Sequence, residues 1–184
     1  IRIPVLGHSE GVCHGYIDQF ADLDMAIRLC LDAKLQYPAV CTAMETLLVH
    51  KNFAEKVLPD LVEEFREKQV ELVGCVKTCK VAPEVSPACE SDWDLEYNDL
   101  KLSIKIVDGF SEAVKFINKH GSGHTDMIVT ENRERAEQFL NEVSSASVMW
   151  NASTRFADGF KYGLGAEIGI STNRTHARGP VGLE

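Results

Sequence analysis

Six cysteines, at positions 13, 30, 41, 75, 79 and 89, are the side chains of this sequence best equipped for covalent chemistry, and their settings differ. Cys75, Cys79 and Cys89 could offer thiolates to zinc, but the second closely spaced pair of a structural zinc site is missing. No metal is expected there, and the stretch reads as a surface loop. Cys13 and Cys30 lie on apolar faces and read as small buried hydrophobes. Cys41 follows the Pro-marked turn Tyr37-Pro38-Ala39-Val40 and precedes an expected short helix, Thr42 to Glu45. The free N–H groups and positive dipole end of such a helix favour a thiolate and can hold an oxyanion formed on an acyl group bound to sulfur. Position alone favours a buried structural thiol over a nucleophile, since many cysteines begin helices without doing chemistry.

Asn151, Ser153, Thr154 and Arg155 follow an apolar run, Ser147 to Trp150, of strand length. They should project from the C-terminal end of that strand, where open α/β sheets bind ligands. A guanidinium at Arg155 suits a carboxylate or phosphate through paired hydrogen bonds, and Arg178 is a second candidate. For both, an ion pair between subunits or one anchoring the tail is the alternative. His124, beside Thr125 and Asp126, reads as a hydrogen-bonded structural histidine, because an ionised thiol needs no strong base.

The elements that must position these residues alternate in period. Strands are expected over 1–6, Val12 to Ile17, Thr46 to His50, Val70 to Gly74, Lys101 to Val107, Thr125 to Thr130 and Ser147 to Trp150. Between them fall amphipathic helices over Asp22 to Leu35, with Asp22 as N-cap, and over Phe53 to Lys68, Ser111 to His120 and Asn132 to Val143. Cys75 to Asp94 shows no clear period. The pattern predicts an α/β fold, an open, mostly parallel sheet flanked by helices. With 184 residues, 45% of them apolar, the chain can bury one sizeable core. A net charge of −9 argues against a nucleic-acid or anionic-membrane surface. No apolar run reaches the eighteen or so residues of a membrane span. Scattered cysteines favour a reducing, cytoplasmic setting. The chain opens directly on Ile1-Arg2-Ile3-Pro4-Val5 without Met and reads as an excerpt of something longer.

Tyr37-Pro38-Ala39-Val40-Cys41-Thr42-Ala43-Met44-Glu45-Thr46-Leu47-Leu48-Val49-His50 resembles the nucleophile segment of the γ-glutamyl phosphate reductase family. Ile3 to His8 with Gly11 to His14, Gly121 to Asp126, Asn151 to Gly159, Gly163 to Thr172 and His176 to Glu184 resemble the same family in order. The resemblance fits free-standing reductases and the reductase half of bifunctional pyrroline-5-carboxylate synthases alike. It implies an aldehyde-dehydrogenase-like catalytic domain over 1–150, a return segment and substrate-site tail over 151–184, and a nucleotide-binding domain upstream of this chain. It further implies NADPH-dependent reduction of L-glutamyl 5-phosphate to L-glutamate 5-semialdehyde through a Cys41 thioester, a step of proline biosynthesis. Glu96, in Glu96-Tyr97-Asn98-Asp99-Leu100, resembles the carboxylate that holds the nicotinamide ribose in related dehydrogenases; a solvated loop carboxylate is its other reading.

The implied partners are the small-molecule substrate, further copies of the chain in a homo-oligomer, and a fused or associated glutamate 5-kinase, with a mitochondrial setting for an animal bifunctional enzyme. Val5 resembles the position at which aldehyde-oxidising relatives carry a water-activating glutamate, which favours reduction over a hydrolytic aldehyde dehydrogenase. Thr42 departs from the Asn usual after the family's nucleophile. A non-catalytic binding or assembly module of the same fold is the remaining alternative.

Overall fold

In the computed structural model, residues 7, 10–173 and 178–182 are described. The expected strand over 1–6, and Val5 with it, lies outside them.

Seven parallel strands form the frame: β1 (Cys13–Ile17), β2 (Met44–His50), β3 (Glu71–Gly74), β4 (Ser86–Pro87), β5 (Lys101–Val107), β6 (Thr125–Val129) and β7 (Ser147–Trp150). Their order across the sheet is β4-β3-β5-β2-β1-β6-β7, and every pairing is parallel. Helices α1 (Leu23–Leu35), α2 (Lys51–Glu67), α3 (Val76–Val81), α4 (Phe110–His120) and α5 (Arg133–Glu142) make the crossovers. A separate antiparallel pair, β8 (Gly169–Ser171) with β9 (Gly179–Val181), ends the described chain.

Both faces of the sheet are covered, which is why its central strands read as continuous apolar runs. In β2, Leu47 and Val49 join Ala26, Cys30 and Ala33 of α1 and Val57, Leu58 and Leu61 of α2 in one core. Leu48, on the opposite face, joins Phe110, Val114 and Ile117 of α4 and Phe139 of α5. Helix α1 starts as its sequence predicts, the Asp22 carboxylate accepting from the Met25 amide at 2.8 Å.

Two expectations are corrected. No helix follows Cys41: a turn closed by the Ala43 amide on the Val40 carbonyl, 2.8 Å, leads directly into β2 at Met44. Thr42 to Glu45 are buried, and the backbone gains more by joining a central strand, hydrogen-bonded on both sides, than by making one isolated helical turn. The stretch from Cys75 to Asp94 is more ordered than a surface loop, holding α3, β4 and a 3₁₀ turn over Glu90–Asp94 with Trp93 buried. Its pieces are too short for a period to show.

Candidate active site

The site is assembled at the N-terminal edge of the sheet, where segments entering neighbouring strands converge. Ahead of β1 stands Gly11, ahead of β2 the Cys41 turn, and ahead of β5 the loop carrying Glu96. A Cβ on Gly11 would lie 2.1 Å from the Cys41 carbonyl oxygen and 2.6 Å from its Cα, so only glycine lets the two backbones approach this closely. The same carbonyl accepts from the Cys13 thiol at 3.2 Å. Burial, and next the Asp126 carboxylate, push that thiol well above its ordinary range, so Cys13 remains a proton donor that pins the turn.

Cys41 itself is half-buried. Burial pushes its thiol up, the Glu167 and Glu96 carboxylates push the same way, and Arg155 with the local backbone pulls it down. The expectation of a helix-depressed thiol is therefore corrected: with no helix there is no dipole, and two carboxylates oppose ionisation. The cation that favours the thiolate is Arg155.

Arg155 reaches this edge by an unexpected route. It sits in a 3₁₀ turn, Thr154–Phe156, whose N-cap Ser153 accepts from the Arg155 amide at 3.2 Å. That turn packs on α1 and β6, so the chain has doubled back from the C-terminal end of β7. The Lys161 ammonium donates to the Arg155 carbonyl at 3.0 Å. The buried guanidinium donates through Nη1 to the Thr42 hydroxyl.

Glu96 is half-buried beside Cys41, on whose thiol its charge acts. Its loop is fixed by the Tyr97 hydroxyl, 3.0 Å from Asp92 Oδ1 and 2.7 Å from Ser103 Oγ. The structure thus brings together Cys41, Glu96 and Arg155. Asn151 makes its contacts at the other edge: with φ 49°, its amide group accepts from the Thr130 N–H at 2.9 Å and donates to the Thr130 carbonyl at 3.1 Å, tying the ends of β6 and β7. Thr154 is fully buried, its hydroxyl without a hydrogen-bond partner among the described residues. Arg178 Nη2 donates to the Gly123 and Ser144 carbonyls at 2.9 and 2.8 Å, anchoring the tail to the segments that enter β6 and β7. His124 is buried, with Nδ1 2.9 Å from Thr125 Oγ1.

Sequence reasoning missed Glu167, Gly11 and the pair Lys34–Glu45. Glu167 sits in Gly163-Leu164-Gly165-Ala166-Glu167, a glycine-marked segment whose turns signal a close return of the chain. Lys34 carried a signal too, as a cation on the apolar face of α1, buried with Ala26, Cys30 and Ala33.

No protein-family profile matches the chain. A γ-glutamyl phosphate reductase of Acetivibrio thermocellus is 60% identical over 183 residues, covering all of this chain and 42% of that protein. The crystal structure of the Thermotoga maritima γ-glutamyl phosphate reductase matches with a TM-score of 0.96 at 49% identity, over 99% of this chain and 44% of that one. The fold extends to an acetylating aldehyde dehydrogenase of Geobacillus thermoglucosidasius, TM-score 0.62 at 20% identity, over 83% of this chain and 42% of that one. Sequence and fold agree in relating the whole chain to γ-glutamyl phosphate reductases and, in fold, to aldehyde dehydrogenases. The chain spans about two-fifths of the length of the relatives it matches, 42% for the first.

Proposed function

We propose that this chain is the cysteine-bearing portion of a γ-glutamyl phosphate reductase, acting in proline biosynthesis by reducing L-glutamyl 5-phosphate to L-glutamate 5-semialdehyde. The observation that carries the reading is the setting of Cys41: a half-buried thiol on a turn held by Gly11 and Cys13, beside the Arg155 guanidinium, which favours its charge.

Sulfur attacks the γ-acyl carbon, forming the S–C bond as the C–O bond to phosphate breaks and phosphate leaves with the electron pair. Arg155 stands where it offsets the charge of the thiolate and of the departing phosphate. Hydride delivered to the thioester carbonyl carbon gives a tetrahedral oxyanion that expels Cys41 as thiolate and leaves the aldehyde. NADPH is the cofactor that supplies this hydride when bound. The residues on this chain fit it in one respect: Glu96 offers a half-buried carboxylate beside Cys41, suited to the two hydroxyls of a ribose. The nucleotide-binding domain is assigned to the part of the relatives' length outside this chain, and the complete protein to a homo-oligomer. Of the other residues read as substrate contacts, Ser153 and Thr154 serve by shaping the turn that carries Arg155.

The test is the reverse reaction, phosphate-dependent reduction of NADP⁺ by glutamate semialdehyde, in the complete protein and its Cys41→Ala variant. Turnover that requires phosphate and disappears in the variant is the expected result. Turnover without phosphate returns the hydrolytic dehydrogenase, and equal silence of parent and variant leaves a non-catalytic module.

A further inference from the structure

Arg155 is a buried cation short of partners. The residue is 9% exposed, and among the described residues no carboxylate pairs with it. Nη1 donates to the Thr42 hydroxyl, the one side-chain hydrogen bond the guanidinium makes among those residues, and Nε is buried without a partner among them. A guanidinium carries more N–H donors than one hydroxyl can use, and a buried charge is costly unless it is paired and hydrogen-bonded. A contact that only anchored the tail would be better made by a neutral donor, because burying a cation to reach one hydroxyl costs more than that bond returns. An anion is what would complete the set.

The direction of the guanidinium hangs on Thr42. Other groups hold the Arg155 backbone: Ser153 Oγ accepts from its amide at 3.2 Å, and the Lys161 ammonium donates to its carbonyl at 3.0 Å. Neither acts on the far end of a long side chain. Thr42 does, from 113 positions earlier in the chain. It is itself 2% exposed and lies within the turn that the Ala43 amide closes on the Val40 carbonyl at 2.8 Å, so the acceptor it offers is fixed. It is also the residue directly after Cys41, the two Cα atoms being about 3.8 Å apart. A guanidinium bonded to Thr42 is thereby brought to the turn that carries the sulfur, and its charge is felt there, favouring the Cys41 thiolate.

From this contact we propose that Thr42 is a positioning residue for Arg155, its hydroxyl holding the guanidinium beside Cys41 with the remaining N–H groups left for the phosphate that departs from the acyl carbon. The proposal rests on the reading of Cys41 as the nucleophile of a phosphate-dependent reductase. Thr42 acts through Arg155 alone. Valine at this position would match its shape and lose the acceptor, whereas serine would keep the acceptor.

A double-mutant cycle in the complete enzyme tests it. Thr42→Val and Thr42→Ser are made in the parent, and Thr42→Val also in an Arg155→Met background. The KM for inorganic phosphate is read beside that for glutamate semialdehyde in the reverse reaction. Alkylation by iodoacetamide at pH 7, followed by mass spectrometry on the peptide that carries Cys41, gives a second readout that needs no turnover. Losing a hydrogen bond to a charged group should raise the phosphate KM of Thr42→Val about tenfold and leave the semialdehyde KM within about twofold. Alkylation should slow about threefold as the thiolate loses its cation. Thr42→Ser should stay within about twofold of the parent on every measure, and in the Arg155→Met background Thr42→Val should change the alkylation rate by less than about twofold.

Equal slowing of alkylation by Thr42→Val in both backgrounds overturns the proposal, as does a Thr42→Val enzyme indistinguishable from the parent or a Thr42→Ser enzyme that loses as much as Thr42→Val. A semialdehyde KM that rises in step with the phosphate KM also overturns it, since that marks a general disturbance of the site. Should Thr42→Val fail to fold, Thr42→Ala and Thr42→Ser differ only in the hydroxyl and give the same comparison, with equal losses in the two overturning. A parent without phosphate-dependent turnover sinks the reductase reading and the phosphate's part in this proposal; the alkylation cycle then decides by itself whether Thr42 holds Arg155 beside Cys41.

Discussion

At the scale of single residues, ionisation of Cys41 is opposed first by burial and then adjusted by charges brought from distant parts of the chain. Arg155 favours the thiolate, while Glu167 and Glu96 oppose it. Replacing Arg155 by Met should therefore raise the thiol's pKa further and slow alkylation by iodoacetamide at pH 7, whereas Glu167→Gln should lower it and speed alkylation. The check is the pH dependence of the alkylation rate in the complete protein, and shifts in the same direction for both variants would sink the electrostatic account. Gly11 acts on the same sulfur by steric means. With the Cys41 carbonyl only 2.1 Å from where a Cβ would stand, Gly11→Ala must push the turn by an ångström or more. A displacement of that size at a reacting group costs about a hundredfold in rate. Steady-state kcat of the variant measures it, and a value within threefold of the parent would mean that the turn gives way without consequence.

At the scale of elements, most of the sheet is legible in the sequence, because strands buried on both faces and helices buried on one leave different periods. Asp22 before Leu23, and the run Lys101 to Val107, appear in the structure where the pattern places them. The turn at Cys41 was not legible: Pro38 marks a break, but whether Thr42 to Glu45 coil into a helix or extend is decided by β1 and β5 on either side of β2, which no local pattern records. Of the candidate site, Cys41, Glu96 and Arg155 were legible as residue types in suggestive places, but the edge of the sheet at which they meet was not. Residues after β7 belong at the C-terminal end by sequence, and only the doubling back over α1 and β6 carries Arg155 to the other. The buried pair joining α1 to β2 yields a prediction about stability. Lys34→Met alone removes the cation that holds the Glu45 carboxyl down, so the group must take up a proton or stay buried as an unpaired charge, and the change should cost about 3 kcal/mol at neutral pH, most of it recovered on adding Glu45→Leu. Burial lifts the Glu45 carboxyl from 4.5 to about 7 despite Lys34, so between those values the folded chain holds a proton that the unfolded chain has released. Its contribution to stability thus falls as pH rises through that window, and the double variant should lack this component. Denaturant unfolding at pH 5 and pH 7 compares the two, and an identical pH slope in parent and double variant would count against a raised Glu45.

At the scale of the whole molecule, the described residues make a sheet covered on both faces, yet they leave a long apolar stretch uncovered. Phe156, Phe160 and Ile168 are 51, 74 and 76% exposed, with Tyr162 and Leu164 between them. Exposed apolar side chains gathered in one short segment are what an interface would cover, and a chain spanning 42% of its relative's length leaves much of that length to supply the cover. The two cores are complete in themselves, so the isolated chain should unfold in one cooperative transition. It should also bind an apolar dye in its folded state, and lose that binding in the complete protein. If Glu96 holds the ribose as proposed, that single contact is too small to hold a dinucleotide, so NADPH should bind the isolated chain with a Kd weaker than about 1 mM, a free energy of about 4 kcal/mol. In the complete protein NADPH should bind tightly enough to alter the rate at which Cys41 is alkylated, and in the isolated chain it should leave that rate unchanged. Tight, saturable binding of NADPH to the isolated chain would place the nucleotide site within these residues and remove the ground for assigning it to the rest of the protein.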